Sequence, residues 1–217
     1  GGEGKGVGVE SEEVGMELLA AVCVGLGLSA ASGLRVFLPL LIAGLGQRVG
    51  LVDLGGAMAW VSTMPALGVL GLLCVIEMAA YSVPALDHVL DTLSAPAAWL
   101  AGALVAAGLV QTPLHNVLGN LPLSETISSA LMATGMTLAG LSGAGAAGVT
   151  QIAGASGRLV SSTTTGGLGN PIYGAFESAL AGATSILAML APVLVGVLGL
   201  GLLVLVWRLT RRRAAIA

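Results

Sequence analysis

The sequence predicts an all-α protein, a polytopic transmembrane helix bundle with broken helices, on three observations. Of its 217 residues, 56% are hydrophobic and only 9% are charged, where a soluble domain carries roughly a quarter charged residues. So few charges cannot cover a globular surface without leaving large apolar patches. The acids and bases are also clustered, and the uncharged stretches between them exceed the about 20 residues that a spanning helix needs. Finally, these stretches do not alternate in polarity, as barrel strands of about 10 residues would. A net charge of −3 and two cysteines exclude a nucleic-acid binder and a disulfide scaffold.

Taken in order, the first run is Met16 to Gly46, interrupted only by Glu17 and Arg35. Its 31 residues would make a helix of roughly 46 Å against a hydrocarbon core of about 30 Å, so it must tilt, break or double back. The expected break is Ser29-Ala30-Ala31-Ser32-Gly33, followed by Pro39. Leu54 to Ile76 carries no charge and predicts the second span. Thr92 to Ser124 has only His115 as a titratable group and predicts the third. In it, Gln111 to Glu125, with Pro113, His115, Asn116, Asn120 and Pro122, reads as an interfacial connection. Thr126 to Gly157 is again too long for one straight span, with a break expected at Ser142–Gly148. Ser178 to Trp207 is interrupted by Pro192. The resulting spans lie near 16–46, 58–83, 95–111, 126–158, 171–191 and 192–208, the last two readable as one bent helix.

Three segments follow. Residues 1–15, glycine-rich and bearing Glu3, Glu10, Glu12 and Glu13, read as a flexible acidic tail. Residues 16–208 form the transmembrane domain, and 209–217 a basic tail. No signal peptide is readable ahead of the first span. Arg208 and Arg211–Arg213 place the C-terminal end on the cytoplasmic or equivalent side. The expected location is a bacterial inner membrane or a plastid or mitochondrial membrane.

Two stretches resemble each other. Ala31-Ser32-Gly33-Leu34-Arg35 is echoed by Ala155-Ser156-Gly157-Arg158, and Pro84 with Asp91 by Pro171 with Glu177. Two three-span halves of inverted topology, a common transporter plan, would account for this; chance similarity in a Gly/Ala-rich chain is the alternative.

Charges at membrane depth cost about 2.5–3.5 kcal/mol or more on insertion scales, so they mark functional candidates. Arg35 offers a planar fork of donors to a carboxylate or phosphate, or a structural clamp across the broken helix. Glu77 pairs with Arg35 or carries a proton or cation. Asp87, His88 and Asp91 form a weak metal-ligand pattern, since Asp87 and Asp91 share a helix face; an ordinary interfacial helix is the preferred reading, and no metal is expected. Arg158 precedes Ser161-Ser162-Thr163-Thr164-Thr165-Gly166-Gly167, a hydroxyl strip whose glycine amides would make an anion nest beside the helix that Pro171 starts, with Glu177 two turns in. The alternative there is a polar loop between spans. Gly140, Ala144 and Gly148 recur at the spacing of close helix packing.

No HExxH or CxxC occurs, and no Walker motif, since the last lysine is Lys5. Two histidines argue against a haem pair or a light-harvesting role, and no cofactor is expected. Cys23 and Cys74 read as small core residues.

The segments Gly27–Leu40, then Glu77 with Pro84, Asp87, His88 and Asp91, then Ser162–Pro171 with Glu177 together resemble the family designated domain of unknown function 4126. Its members are small polytopic proteins of bacteria and photosynthetic eukaryotes. The resemblance covers roughly 16–208 and is specific in its order of motifs. It implies a polytopic membrane protein and carries no substrate with it. The chain departs from the family pattern at Gly148–Ala155, where a stretch bearing His and Lys is expected. That speaks against a proton-relay or cationic role for this helix.

The leading expectation is a transporter or channel for a small anionic solute, held by Arg35, Glu77, Arg158, Ser161–Gly167 and Glu177 near the midplane. The alternative is a non-catalytic structural or assembly subunit of a larger membrane complex. An enzyme is not expected, since no catalytic constellation stands out. The expected partners are the lipid bilayer, the solute, and other membrane subunits or a homo-oligomer, with no nucleic acid.

Overall fold

The structure, a computed structural model, describes residues 4–80, 84–199, 201, 204 and 208; the side chains within 4–11 and 84–92 lie outside that description. Besides a helical stretch over 192–199, the described residues form seven α-helices and no strand. They are α1 (Gly4–Leu34), α2 (Phe37–Arg48), α3 (Gly55–Met58), α4 (Met64–Ala80), α5 (Pro84–Gly119), α6 (Glu125–Thr165) and α7 (Asn170–Leu190), with a 3-10 turn at Ala59–Ser62 before α4. Among the described residues, four segments are long and apolar enough to cross a membrane: Glu12–Leu34, Leu93–Gly119, Glu125–Thr165 and Asn170–Leu190. Gly55–Ser62 and Met64–Ala80, bent by 71° at Thr63, would together make a fifth. The chain is an integral membrane protein.

Its exterior and interior exchange the roles they have in water. Leu72, Val75, Leu100, Leu104, Leu138 and Leu141 face outward, while Arg35, Glu77, Gln151, Arg158 and Glu177 are buried. A bilayer solvates the first group and rejects the second.

The first run breaks, but not where clustered glycine suggested. α1 continues through 29–34 and stops at Arg35–Val36. The cause is Pro39, four residues after Arg35: a proline ring cannot donate to the carbonyl at i−4 and collides with it. The small residues before the break serve helix crossing instead. The Ser29 hydroxyl donates to the Gly102 carbonyl at 2.7 Å, and Gly33 lies against Ala147 and Thr150 of α6. After the break the chain doubles back. Gly46 of α2 and Gly27 of α1 both pack against the end of α7, at Met189 and Ala188.

No break occurs at 142–148 either. α6 is helical throughout its 41 residues, roughly 62 Å, so the excess length extends the helix rather than interrupting it. A Cβ on Gly143 would stand 2.6 Å from the Ala106 Cβ and 2.8 Å from the Ser29 hydroxyl. These glycines bring α6 close to α5 and α1, where a larger residue would hold the backbones apart. In the Gly140–Ala144–Gly148 row, Gly140 lies against Ala103 and Gly148 against Trp99, but the closest approach to α5 is at Gly143.

Three boundaries also move. The expected connection 111–125 is only 120–124, because α5 continues through Pro113 to Gly119. The second span is the bent pair rather than one straight helix, since Thr63 is extended, with φ −70° and ψ 147°, just before Pro65. Helix begins at Gly4, within the segment expected to be a solvated tail. Pro192 does interrupt the last run at Ala191, and helix resumes over 192–199. The 209–217 tail lies outside the described residues.

The crossing at Gly143 sets a measurable expectation. Gly143→Val lowers stability in detergent micelles by about 1–3 kcal/mol through overpacking. Gly145→Ala, two residues along and with nothing within 4 Å of its added methyl, changes it by less than about 0.5 kcal/mol. Equal shifts in thermal unfolding would refute the close crossing.

Candidate functional site

The buried polar groups gather where α1 stops. Arg35, 1% exposed, directs its guanidinium at α7. Its Nε donates to the Ser178 hydroxyl at 2.9 Å and its Nη2 to the Gly174 carbonyl at 2.7 Å. The same Nη2 is 3.5 Å from Glu177 Oε2. Arg158, from α6, donates through Nη1 to that same Glu177 oxygen. Two guanidiniums 123 positions apart in sequence thus meet on one carboxylate oxygen.

The local sequence explains why each helix can contribute. On α7, Asn170, Gly174, Glu177, Ser178, Ala181, Ser185 and Ala188 are the buried face, spaced by three, four and seven as a helical stripe requires. Gly174 leaves its carbonyl open to Arg35. On α6, Gly154 lies one turn before Arg158 and faces Glu177, where a Cβ would be 2.6 Å from Oε1. Gly157 admits the Tyr173 ring and hydroxyl in the same way.

Glu77 has a different task from the one expected. Its carboxylate accepts the backbone N–H of Val36 at 2.9 Å and of Phe37 at 3.3 Å, so the acceptors are main-chain donors at the α1–α2 break. The first N–H groups of any helix lack intrahelical partners. Glu77 supplies them for α2, an N-terminal cap sent from another span. The ion-pair partner of Arg35 is Glu177 and not Glu77. Two arginines and two glutamates nevertheless share this layer.

The hydroxyl strip is divided. It forms the last turns of α6 rather than a loop. Thr163, Thr164 and Thr165 are exposed and donate to carbonyls of their own helix, at Leu159, Val160 and Ser161. Ser161 and Ser162 are half-buried, and Ser162 accepts from the Asn170 amide at 2.8 Å. Gly166, with φ 62°, and Gly167, with φ 88°, end the helix in the left-handed region, which glycine enters without steric penalty. The following amides are engaged by the protein: Leu168 N–H with the Thr165 carbonyl, Gly169 N–H with the Thr165 hydroxyl, and Asn170 N–H with the Gly167 carbonyl. The amides just past the two glycines are therefore taken by the chain's own turn. The exposed threonines lie five to seven residues past Arg158, roughly 8–10 Å along the axis. Arg35, Arg158 and Glu177 converge; Thr163–Gly166 do not join them.

The cluster is also off-centre. Glu177 is seven residues into a 21-residue helix, roughly 10 Å from one end and 20 Å from the other. Asp87, His88 and Asp91 belong to α5, and their side chains lie outside the described residues. Among the described residues no group of three His, Cys, Asp or Glu side chains is placed to hold a metal. Sequence reasoning missed Gly174 and Ser178, although both sit on the Glu177 face at i−3 and i+1. It also missed Gln151, buried two turns before Arg158, whose Nε2 donates to the Ser94 hydroxyl at 2.9 Å.

Glu177→Ala removes the carboxylate that both arginines share, and should cost about 3–5 kcal/mol, as breaking a buried ion pair does. Glu77→Ala leaves the Val36 and Phe37 donors without their acceptor, at about 1–3 kcal/mol, and Glu77→Gln, which keeps an acceptor oxygen, recovers part of that loss. Unfolding midpoints in micelles check both. A Glu77→Gln midpoint no higher than that of Glu77→Ala would contradict the capping role.

No curated protein and no solved structure matches the chain. A family model described as Domain of unknown function (DUF4126) matches residues 22–212. That stretch holds the Pro39-enforced break, the Glu77 cap, the paired arginines and the glycine-ended α6. The chain belongs to the DUF4126 family.

Proposed function

We propose that the protein moves a small anionic solute, one bearing a carboxylate or phosphate, across its membrane, and that Arg35 and Arg158 are the groups that hold it. One observation carries this reading: two guanidiniums from separate helices share a single buried carboxylate oxygen. Neither arginine can escape burial by deprotonating. Glu177 then holds the place that the solute's acid group takes when loaded, and the solute displaces it by offering both forks a stronger acceptor. Ser178 and the Gly174 carbonyl keep Arg35 aimed at that place. The α1–α2 break fits a site of this kind, because non-helical backbone at membrane depth is tolerated where protein surrounds it. An inverted relation between the two halves belongs to the same proposal: α1 delivers Arg35 and α6 delivers Arg158 from sequence-similar ends. So does placement in a bacterial inner membrane or a plastid or mitochondrial membrane.

A second reading is favoured by how tightly this layer is closed. Arg35 and Glu177 are each 1% exposed, and Gly33, Gly154 and Gly157 leave no space for even a methyl group. A non-catalytic structural subunit of a larger membrane complex would use such a layer to fix its helices and nothing more.

The two readings part in reconstituted liposomes. Uptake of labelled acetate, succinate and inorganic phosphate is measured with the unaltered chain, Arg35→Lys and Arg158→Lys. Lysine keeps the charge and loses the planar fork. The transport reading expects saturable uptake of at least one of these anions. It also expects a KM raised at least about tenfold in each variant, equivalent to about 1.4 kcal/mol of lost binding, with the unfolding midpoint little changed. No uptake above empty liposomes, or uptake indifferent to both variants, leaves the structural reading in place.

A further inference from the structure

At the other end of the bundle lies a cavity with a different chemistry. It is an open cavity of about 730 Å³, inside the range of roughly 300–1,000 Å³ typical of sites for small organic molecules. Its inner wall is apolar, with Val24 of α1, Leu109 of α5 and Met189 of α7. Its polar groups are Glu17, Gln47, Asp53, Thr112 and Asn116, and among the described residues no Lys, Arg or His lines it. Glu17 is about 27 Å along α1 from Arg35, so the cavity is separate from the arginine cluster.

Among the described residues, no cation partners the polar groups of this wall. Asp53 uses Oδ1 to accept the Gly55 N–H at 2.9 Å, which orients the carboxylate without neutralising it. Glu17 and Asp53 come from different elements, 36 positions apart in sequence, and both line the same space. The nearest basic residue in sequence to Asp53, Arg48, turns its guanidinium to the Ser62 carbonyl at 3.3 Å. Gln47, on the same wall, holds its Oε1 buried with no donor facing it. A buried acceptor without a donor costs about 1–3 kcal/mol. Two exposed carboxylates and this amide oxygen therefore line one open cavity together with Val24, Leu109 and Met189.

We propose that this cavity binds a small organic cation, an ammonium group on a short apolar body. The ammonium supplies the donors that the wall lacks, the charge answers Glu17 and Asp53, and the apolar body covers Val24, Leu109 and Met189. An anion of the same size meets two like charges. The inference is independent of transport at the arginine cluster. Such an ammonium comes either from a soluble amine or from a zwitterionic lipid headgroup, since the cavity sits beside Glu17, in the first turns of the span Glu12–Leu34.

Isothermal titration of the full chain in micelles tests it with three probes of one size: phenethylamine, 2-phenylethanol and phenylacetate. The expected result is saturable binding of phenethylamine, weaker binding of the alcohol and none of phenylacetate. Glu17→Gln and Asp53→Asn each weaken phenethylamine by about three- to fivefold, as loss of one partly exposed charge pair does, and together they reduce it to the level of the alcohol. Asp53→Asn keeps the oxygen that caps Gly55, so the fold is retained. Native mass spectrometry after reconstitution with equal phosphatidylethanolamine and phosphatidylglycerol separates the sources. Phosphatidylethanolamine retained by the unaltered chain and lost from the double variant assigns the lipid headgroup. Phenethylamine binding without such retention assigns a soluble amine. Equal binding of the three probes, or phenethylamine binding unchanged in the double variant, overturns the proposal, as does the absence of both probe binding and lipid retention.

Discussion

The carboxylate of Glu177 is the point on which the bundle closes. Moving an ion out of water costs several kcal/mol even after relaxation, and that cost is offset only when partners and hydrogen bonds are in place. Two arginines bring that demand to one oxygen from two helices. The end of α1, the Arg158 turn of α6 and the Gly174–Ser178 turn of α7 must therefore meet. Glycine makes the meeting possible at Gly154 and Gly157, where the side chains of Glu177 and Tyr173 occupy the space a Cβ would take. The α1–α2 break belongs to the same layer. Pro39 forces it, Arg35 stands at it, and Glu77 accepts the two N–H groups that follow.

Away from that layer the bundle is held by close backbone approach. Lipid tails are as apolar as leucine, so burying a leucine between helices has little driving force in a membrane, and packing with interhelical hydrogen bonds takes over. Ser29 donates to Gly102 at 2.7 Å and Thr150 to Ala30 at 2.6 Å, each a hydroxyl meeting the main chain of another helix. Such contacts need backbones within reach, which Gly102 and Gly143 allow at the crossing of α5 and α6.

The two ends of the bundle differ in charge. The arginine layer balances two cations with two carboxylates and is closed. The cavity at the other end has two carboxylates, no cation among the described residues of its wall and room for a small molecule. α1 joins them over about 27 Å, with Leu28, fully buried, between. An electrostatic difference of this kind gives each end a preference for ligands of a different sign.

The sequence by itself determined the solvent, the fold class and the residues that burial would make costly. Charge spacing alone marked the apolar runs that hold the candidate spans, though not that the first run doubles back after Leu34, because about 20 uncharged residues in a row have no stable place in a water-soluble surface of this composition. It also singled out Arg35, Glu77, Arg158 and Glu177, since each interrupts an apolar run. What it could not decide was pairing and continuity. Glycine lowers helix propensity in water, yet in 142–148 it marks a crossing and not a break, and only the neighbouring helices distinguish the two. Arg35 and Glu77 looked like mutual partners because both were isolated charges in adjacent spans. The fold instead sends Arg35 to α7 and leaves Glu77 to the backbone amides at the break. The cavity was equally illegible, for it is assembled from α1, the end of α2, α5 and α7, segments far apart along the chain. Run length and residue type are local properties of a sequence. Which donor faces which acceptor depends on how the chain doubles back at Arg35, and that is decided only when the helices pack.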